Sequence, residues 1–170
     1  GGKHLKLACS KNGTTFQVLL FGTGPDQFGY QPGDLLDLLV SAEISVFRGE
    51  VSVSLRAADL RLTGVDQNAV CYQQRIYENA RRGEHSRAED QLICPTREDA
   101  AIVYRFLSSQ GGFPHGPELL YQRLMASGIG YGKMLVALDA LMELGLIARE
   151  KKGFRLLPVH GKVDLMSAPA

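Results

Sequence analysis

Four histidines and three cysteines are the side chains of this 170-residue chain best suited to hold a metal or attack a substrate, and their spacing serves neither purpose. The histidines stand as Lys3-His4-Leu5, Glu84-His85-Ser86, Pro114-His115-Gly116 and Val159-His160-Gly161, with no H-E-x-x-H or D-H-H run. Cys9, Cys71 and Cys94 are odd in number and widely spaced without a C-x-x-C pair, which argues against structural zinc and against a disulfide framework. No nucleophile elbow frames any serine. The glycine runs at 22–24 and 128–132 match neither a strand-borne G-x-G-x-x-G nor a P-loop and read as turns. No catalytic residue, metal site or cofactor site is therefore expected. The side chains suited to meeting a polyanion are the cations Lys3, Lys6, Lys11, Arg48, Arg56, Lys151 and Lys152, the ring of His4 and the aromatic face of Phe21.

Lys and Arg number 19 against 18 Asp and Glu, a formal charge of +1, so any nucleic-acid site must be a local patch rather than a property of the whole chain. With 45% hydrophobic and 22% charged residues the composition is that of an ordinary folded protein. The longest apolar stretches fall far short of the roughly 20 residues that span a bilayer, and no signal peptide opens the chain, so a reducing cytoplasm and no membrane partner are expected. The chain begins Gly1-Gly2 without an initiating Met and is expected to be a piece of a longer protein.

The elements that must position the cations follow from periodicity. Over the first 65 residues apolar side chains alternate with polar ones, the pattern of strands with one buried face. Leu5 and Leu7 alternate with His4 and Lys6, and Phe16, Val18 and Leu20 with Gln17, Leu19 and Phe21, around a turn at Lys11-Asn12-Gly13. The apolar run Leu36, Leu38, Val40, Ala42, Ile44, Val46 turns at Phe47-Arg48-Gly49 and returns as Val51, Val53, Leu55 and Ala57, and Leu60 and Leu62 mark a fifth short strand. Five strands in about 60 residues suit a small barrel of the OB type, expected over residues 1–65. Residues 66–92 read as a helical linker: a spacer helix from Asn68 to Arg82, then a loose charged stretch at 83–90. Residues 93–170 read as a winged-helix domain. A capping box at Thr96 and Asp99 opens the first of three helices, the third running from about Tyr131 to Leu144, and a strand pair flanks Lys151-Lys152-Gly153. The fold class expected is α+β.

Lys3-His4-Leu5-Lys6-Leu7, Phe21-Gly22, Gly33-Asp34-Leu35-Leu36-Asp37, Phe47-Arg48-Gly49-Glu50 and Asp59-Leu60-Arg61 resemble the C-terminal OB-fold of RecJ-type single-stranded-DNA-specific exonucleases. Cys94-Pro95-Thr96-Arg97, Met142-Glu143-Leu144-Gly145-Leu146-Ile147 and Gly161-Lys162-Val163-Asp164-Leu165 resemble the extra C-terminal domain of some bacterial members. The resemblance implies a parent enzyme of the DHH class that degrades single strands 5′ to 3′ in DNA repair and recombination. Its manganese- or magnesium-dependent core would lie outside this chain, which would be an inactive accessory module. The partners implied are single-stranded DNA, the catalytic core of the parent chain and, as a further candidate, a single-strand-binding protein.

An OB-fold binds single strands with a cationic groove and stacking rings, here Phe21, Phe28 and Tyr30. The same residues also read as a solvated strand face and a capped core, and Asp34, Asp37, Glu43 and Glu50 interrupt the positive surface. In the third helix, Leu135, Leu138 and Leu141 point to the core, leaving Lys133, Val136, Ala137, Asp139, Ala140 and Glu143 outward. That face is too apolar and acidic to read base edges and suits docking on protein, with Lys151 and Lys152 near the wing free to touch a backbone. A protein-docking module and a free-standing winged-helix transcription regulator are the alternative readings.

Overall fold

The computed structural model describes residues 3–84 and 86–158. The chain divides into two units, Gly1–Gly64 and Val65–Ala170, at the point where strand-like alternation gives way to Gln-, Arg- and Ala-rich sequence.

In the first unit, β1 (His4–Lys11) and β2 (Thr14–Phe21) form a hairpin whose turn holds Asn12 and Gly13 at φ of 51° and 77°. That left-handed pair is what a two-residue hairpin turn needs to match strand twist. β3 (Leu36–Phe47) and β4 (Glu50–Leu62) form a longer hairpin turned by Arg48 and Gly49, again both left-handed. β4 lies parallel beside β2, so the strand order is β1-β2-β4-β3.

The expected five-stranded closed barrel is corrected here: the described residues form four strands in an open sheet. The segments read as two strands, 51–57 and 60–62, are one. Leu39 pairs with Asp59 and Val40 with Ala57, so Ala58 is the extra residue of a β-bulge. The bulge resets the parity of β4 and keeps Leu60 and Leu62 on the same face as Val51, Val53, Leu55 and Ala57. On sequence alone, that shift from odd to even numbering imitates a strand break.

The inner face of the sheet carries Leu5, Leu7, Phe16, Leu20, Leu36, Leu38 and Leu60, all half-buried, and Val18, the one fully buried apolar residue among the described residues of this unit. Phe28 and Tyr30 pair at 5.4 Å, and the Tyr30 hydroxyl donates to the Leu60 carbonyl at 3.2 Å, fastening the connection between β2 and β3 to β4. Toward its turn, the β3–β4 hairpin leaves Ile44, Val46, Val51 and Val53 between 64% and 74% exposed.

The second unit is helical. Its elements are α1 (Gln67–Arg81), α2 (Arg87–Ile93), α3 (Arg97–Gln110), α4 (Pro117–Leu124) and α5 (Tyr131–Glu143), then a hairpin of β5 (Ile147–Arg149) and β6 (Phe154–Leu156). Phe113, between α3 and α4, bridges to Phe154 of that hairpin. The capping box expected at Thr96 and Asp99 is present, and a second, at Ser86 and Glu89, starts α2 inside the stretch read as loose linker. The spacer reading of α1 is likewise corrected: Val70 and Ile76 are buried, and α1 packs on α5. The hydroxyl of Tyr77 donates to Asp139 at 2.7 Å, and Gln73 accepts from the Gly132 N–H at 2.8 Å.

α5 is the centre of this unit, with Tyr131, Gly132, Met134, Leu135, Ala137, Leu138 and Leu141 buried. Its expected outer face is therefore largely occupied from within. Ala137 is in the core, Asp139 is engaged by α1, and Lys133 pairs with Asp99 of α3 at 3.5 Å. A helix read in isolation has two faces; here neighbours cover most of its circumference. Among the described residues no single helix is long and apolar enough to cross a membrane. The 161–165 motif, His85 and His160 lie outside the described residues.

Candidate nucleic-acid interface

The outward face of β1, β2 and β4 is built by register. His4 stands opposite Phe21, Lys6 opposite Leu19, and Leu19 beside Arg56, and cross-strand partners share a face. The alternation that turns Leu5 and Leu7 inward thus turns His4, Lys6, Phe21 and Arg56 to solvent together. The His4 ring meets Phe21 edge-on at 4.8 Å, and its Nδ1 accepts the Gly22 N–H at 3.3 Å. The Arg56 guanidinium lies over the other element of the pair, 5.4 Å from the Phe21 centroid. Phe21 is half-exposed, so a ring flanked by an imidazole and a guanidinium faces water beside the Lys6 ammonium. A base stacks on such a ring while the cations hold its phosphates.

The remaining candidates sit elsewhere. Lys3 directly precedes β1 and is exposed. Lys11 closes β1 at the hairpin turn, at a position of the same parity as Leu5, Leu7 and Cys9 rather than His4 and Lys6. Arg48 is at the β3–β4 turn, over the Phe47 ring at 5.2 Å, eight residues or about 26 Å of strand from Arg56. Because β2 and β4 are parallel, the Lys11 and Arg48 turns share one end of the sheet, and the His4–Phe21–Arg56 group lies toward the other. A single groove through all these residues does not form. Phe28 and Tyr30, half-buried and fastened to β4, serve the packing of the sheet.

Carboxylates temper the patch. Glu43 pairs with Arg56 at 2.9 Å, and Asp37 takes Arg61 at 3.4 Å and the Thr63 hydroxyl at 3.1 Å. Burial pushes the Cys9 thiol up from its ordinary value, so it stays protonated and poorly nucleophilic. Among the described residues no group of three His, Cys, Asp or Glu side chains converges as metal ligands do. In the second unit, Lys151 and Lys152 stand exposed in the turn between β5 and β6, closed by the Glu150 N–H donating to the Gly153 carbonyl at 2.8 Å.

Residues 1–59 match the family model of the RecJ OB domain. The match covers His4, Lys6, Phe21 and Arg56 on their strands and Arg48 in the β3–β4 turn, and ends inside β4. No curated protein and no solved structure matches the chain. Residues 1–59 are thus similar to the OB domain of RecJ-type proteins.

Proposed function

We propose that this chain is an accessory single-stranded-DNA-binding module of a RecJ-like 5′ to 3′ exonuclease, inactive by itself and serving a DHH core on the parent chain. The observation that carries the reading is the cluster of His4, Lys6, Phe21 and Arg56 on one face of the RecJ-type OB region. The second unit is read as a winged helix, on the order of three helices, bridge and hairpin from α3 to β6. Its hairpin turn adds Lys151 and Lys152 as backbone contacts without sequence preference.

The test is fluorescence anisotropy with labelled oligonucleotides. Single strands should bind better than duplex, and Lys6→Ala with Arg56→Ala should weaken single-strand binding about tenfold and flatten the salt slope by about 1.4, at roughly 0.7 per phosphate contact. Unchanged affinity in that double variant would sink the reading. Charge reversal at Lys151 and Lys152 should weaken it modestly.

A second reading, docking on protein, is favoured by the bare apolar face at Ile44, Val46, Val51 and Val53. Ile44→Asp with Val53→Asp should abolish capture of a separately supplied RecJ-type catalytic core while leaving single-strand affinity intact.

A further inference from the structure

A cleft of about 420 Å³ opens in the second unit between α1, the start of α4, α5 and β5. Arg81 and Arg149 line it, and neither is ion-paired among the described residues. Each is held on an aromatic surface: Arg81 lies 5.8 Å from the Tyr77 centroid and donates to the Tyr77 hydroxyl at 3.4 Å, and Arg149 lies 5.7 Å from the Phe154 centroid. The third group is Tyr131. Its side chain is 2% exposed, wedged against Tyr121 at 5.2 Å, and its hydroxyl has no hydrogen-bond partner among the described residues. No described side-chain polar atom is both fully buried and unpartnered, so that hydroxyl keeps its small exposure where Tyr131 lines the cleft. A nearly buried donor with no protein acceptor, in a cleft that two aromatic-held guanidiniums also line, is an arrangement an oxyanion fills.

Two carboxylates share the lining, and burial first, then the Glu118 and Glu78 charges, hold the Tyr131 hydroxyl in its protonated, donating form. Glu78 accepts from the Gln74 amide at 2.6 Å, and Glu118 lies in the first turn of α4, where the helix dipole favours it. Arg82, also in the lining, is turned to Glu84 and Asn79. We propose that the cleft binds a phosphoryl anion, with Arg81 and Arg149 holding its oxygens and the Tyr131 hydroxyl donating to it. The inference does not rest on single-strand binding by residues 1–59. The phosphoryl group is either free or part of a nucleic acid.

The experiment is a nuclear magnetic resonance titration of the full chain with inorganic phosphate, thymidine 5′-monophosphate and thymidine, following the Arg Nε–H and Tyr ring signals. Phosphate and the monophosphate should shift Arg81, Arg149 and Tyr131 saturably. Arg149→Gln and Arg81→Gln, on different elements, should each weaken Kd about tenfold, and Tyr131→Phe about threefold. Arg105→Gln, on α3 beside Glu98, should change nothing. A 5′-phosphorylated oligonucleotide that outcompetes phosphate identifies a nucleic-acid source, and equal affinity identifies the free anion. Thymidine binding as well as its monophosphate, shifts that never saturate, or unchanged affinity in both arginine variants would overturn the proposal.

Discussion

Tyr77 shows how much one side chain in the second unit holds together. Burial, then the hydrogen bond to Asp139, then that carboxylate's charge push its hydroxyl up from 10.0 to about 12, against a smaller opposing pull from Arg81. The protonated form is the one the fold favours, so its contribution is complete below about pH 10 and is lost as pH rises from about 10 to about 12. Tyr77→Phe should cost about 1–2 kcal/mol at neutral pH, the scale of a bond to a charged acceptor. It should also make the fall in thermal stability between pH 10 and 12 shallower, read from melts at a series of alkaline pH values. Of this arrangement the sequence shows only that Tyr77 lies on the apolar stripe of a helix. Its partner is 62 residues away, and no local pattern reports a bond of that range. The outward group on the sheet is different, because alternation over β1 and β2 already separates His4, Lys6 and Phe21 from Leu5, Leu7 and Val18. What alternation lacks is the phase between strands, and so the juxtaposition of Arg56 with Phe21.

Among elements, β4 depends on a bulge within itself and α5 on a cap supplied by another helix. In β4 the bulge absorbs the extra residue Ala58, so both halves of the strand face inward. Deleting Ala58 should remove the bulge and leave a regular strand with Leu60 and Leu62 still inward and the Tyr30 bond to Leu60 kept, because Ala57, Asp59 and Leu60 then alternate in phase opposite Val40, Leu39 and Leu38. The expected outcome is retained dispersion of the amide signals from residues 36–62, with shifts centred on the neighbours of position 58; loss of that dispersion would contradict the bulge. In α5 the N-cap is Gly130, which has no side chain to accept an N–H, and Gln73 of α1 accepts from Gly132 instead. Gln73→Ala should therefore cost about 1 kcal/mol, as loss of a cap does, measured by denaturant unfolding. The close approach also fixes position 132: a Cβ there would stand 2.6 Å from Ile93 Cγ2, so Gly132→Ala must push α2 away from α5. Helix starts with side-chain caps, such as Thr96 with Asp99, are legible in sequence because cap and partner are three residues apart. A cap borrowed from another helix is not, and the packing of α1 and α2 on α5 is illegible for the same reason.

At the scale of the molecule the two units differ in what they bury. The second has a continuous core from Val65 to Phe154, whereas among the described residues of the first Val18 alone is fully buried. Apolar burial is the main favourable term in folding, so the units should unfold separately, the first at lower denaturant. Limited proteolysis should cut the first unit and spare a species beginning near Val65. Hydrogen exchange should give β3 and β4 amides far less protection than those of α5. A single cooperative transition shared by both units would contradict this. The division at residue 64 is visible in sequence as a change of composition; the thinness of the first core is not, because alternation marks an apolar face and not whether anything covers it.

The bare face of the β3–β4 hairpin also bears on how the chain survives in a crowded solution. Ile44, Val46, Val51 and Val53 form an alternating, proline-free β segment on a hairpin whose β3 side is a sheet edge, the composition that seeds intermolecular stacking. Glu43, Arg48 and Glu50 interrupt it, one within β3 and two at the turn, where charges act as gatekeepers against edge-to-edge growth. Neutralising the three together, as Glu43→Gln, Arg48→Gln and Glu50→Gln, should speed fibril formation followed by thioflavin fluorescence, without lowering the melting temperature of the second unit. Two of these charges, Glu43 and Glu50, interrupt the positive surface for a strand and at the same time help keep the chain dispersed.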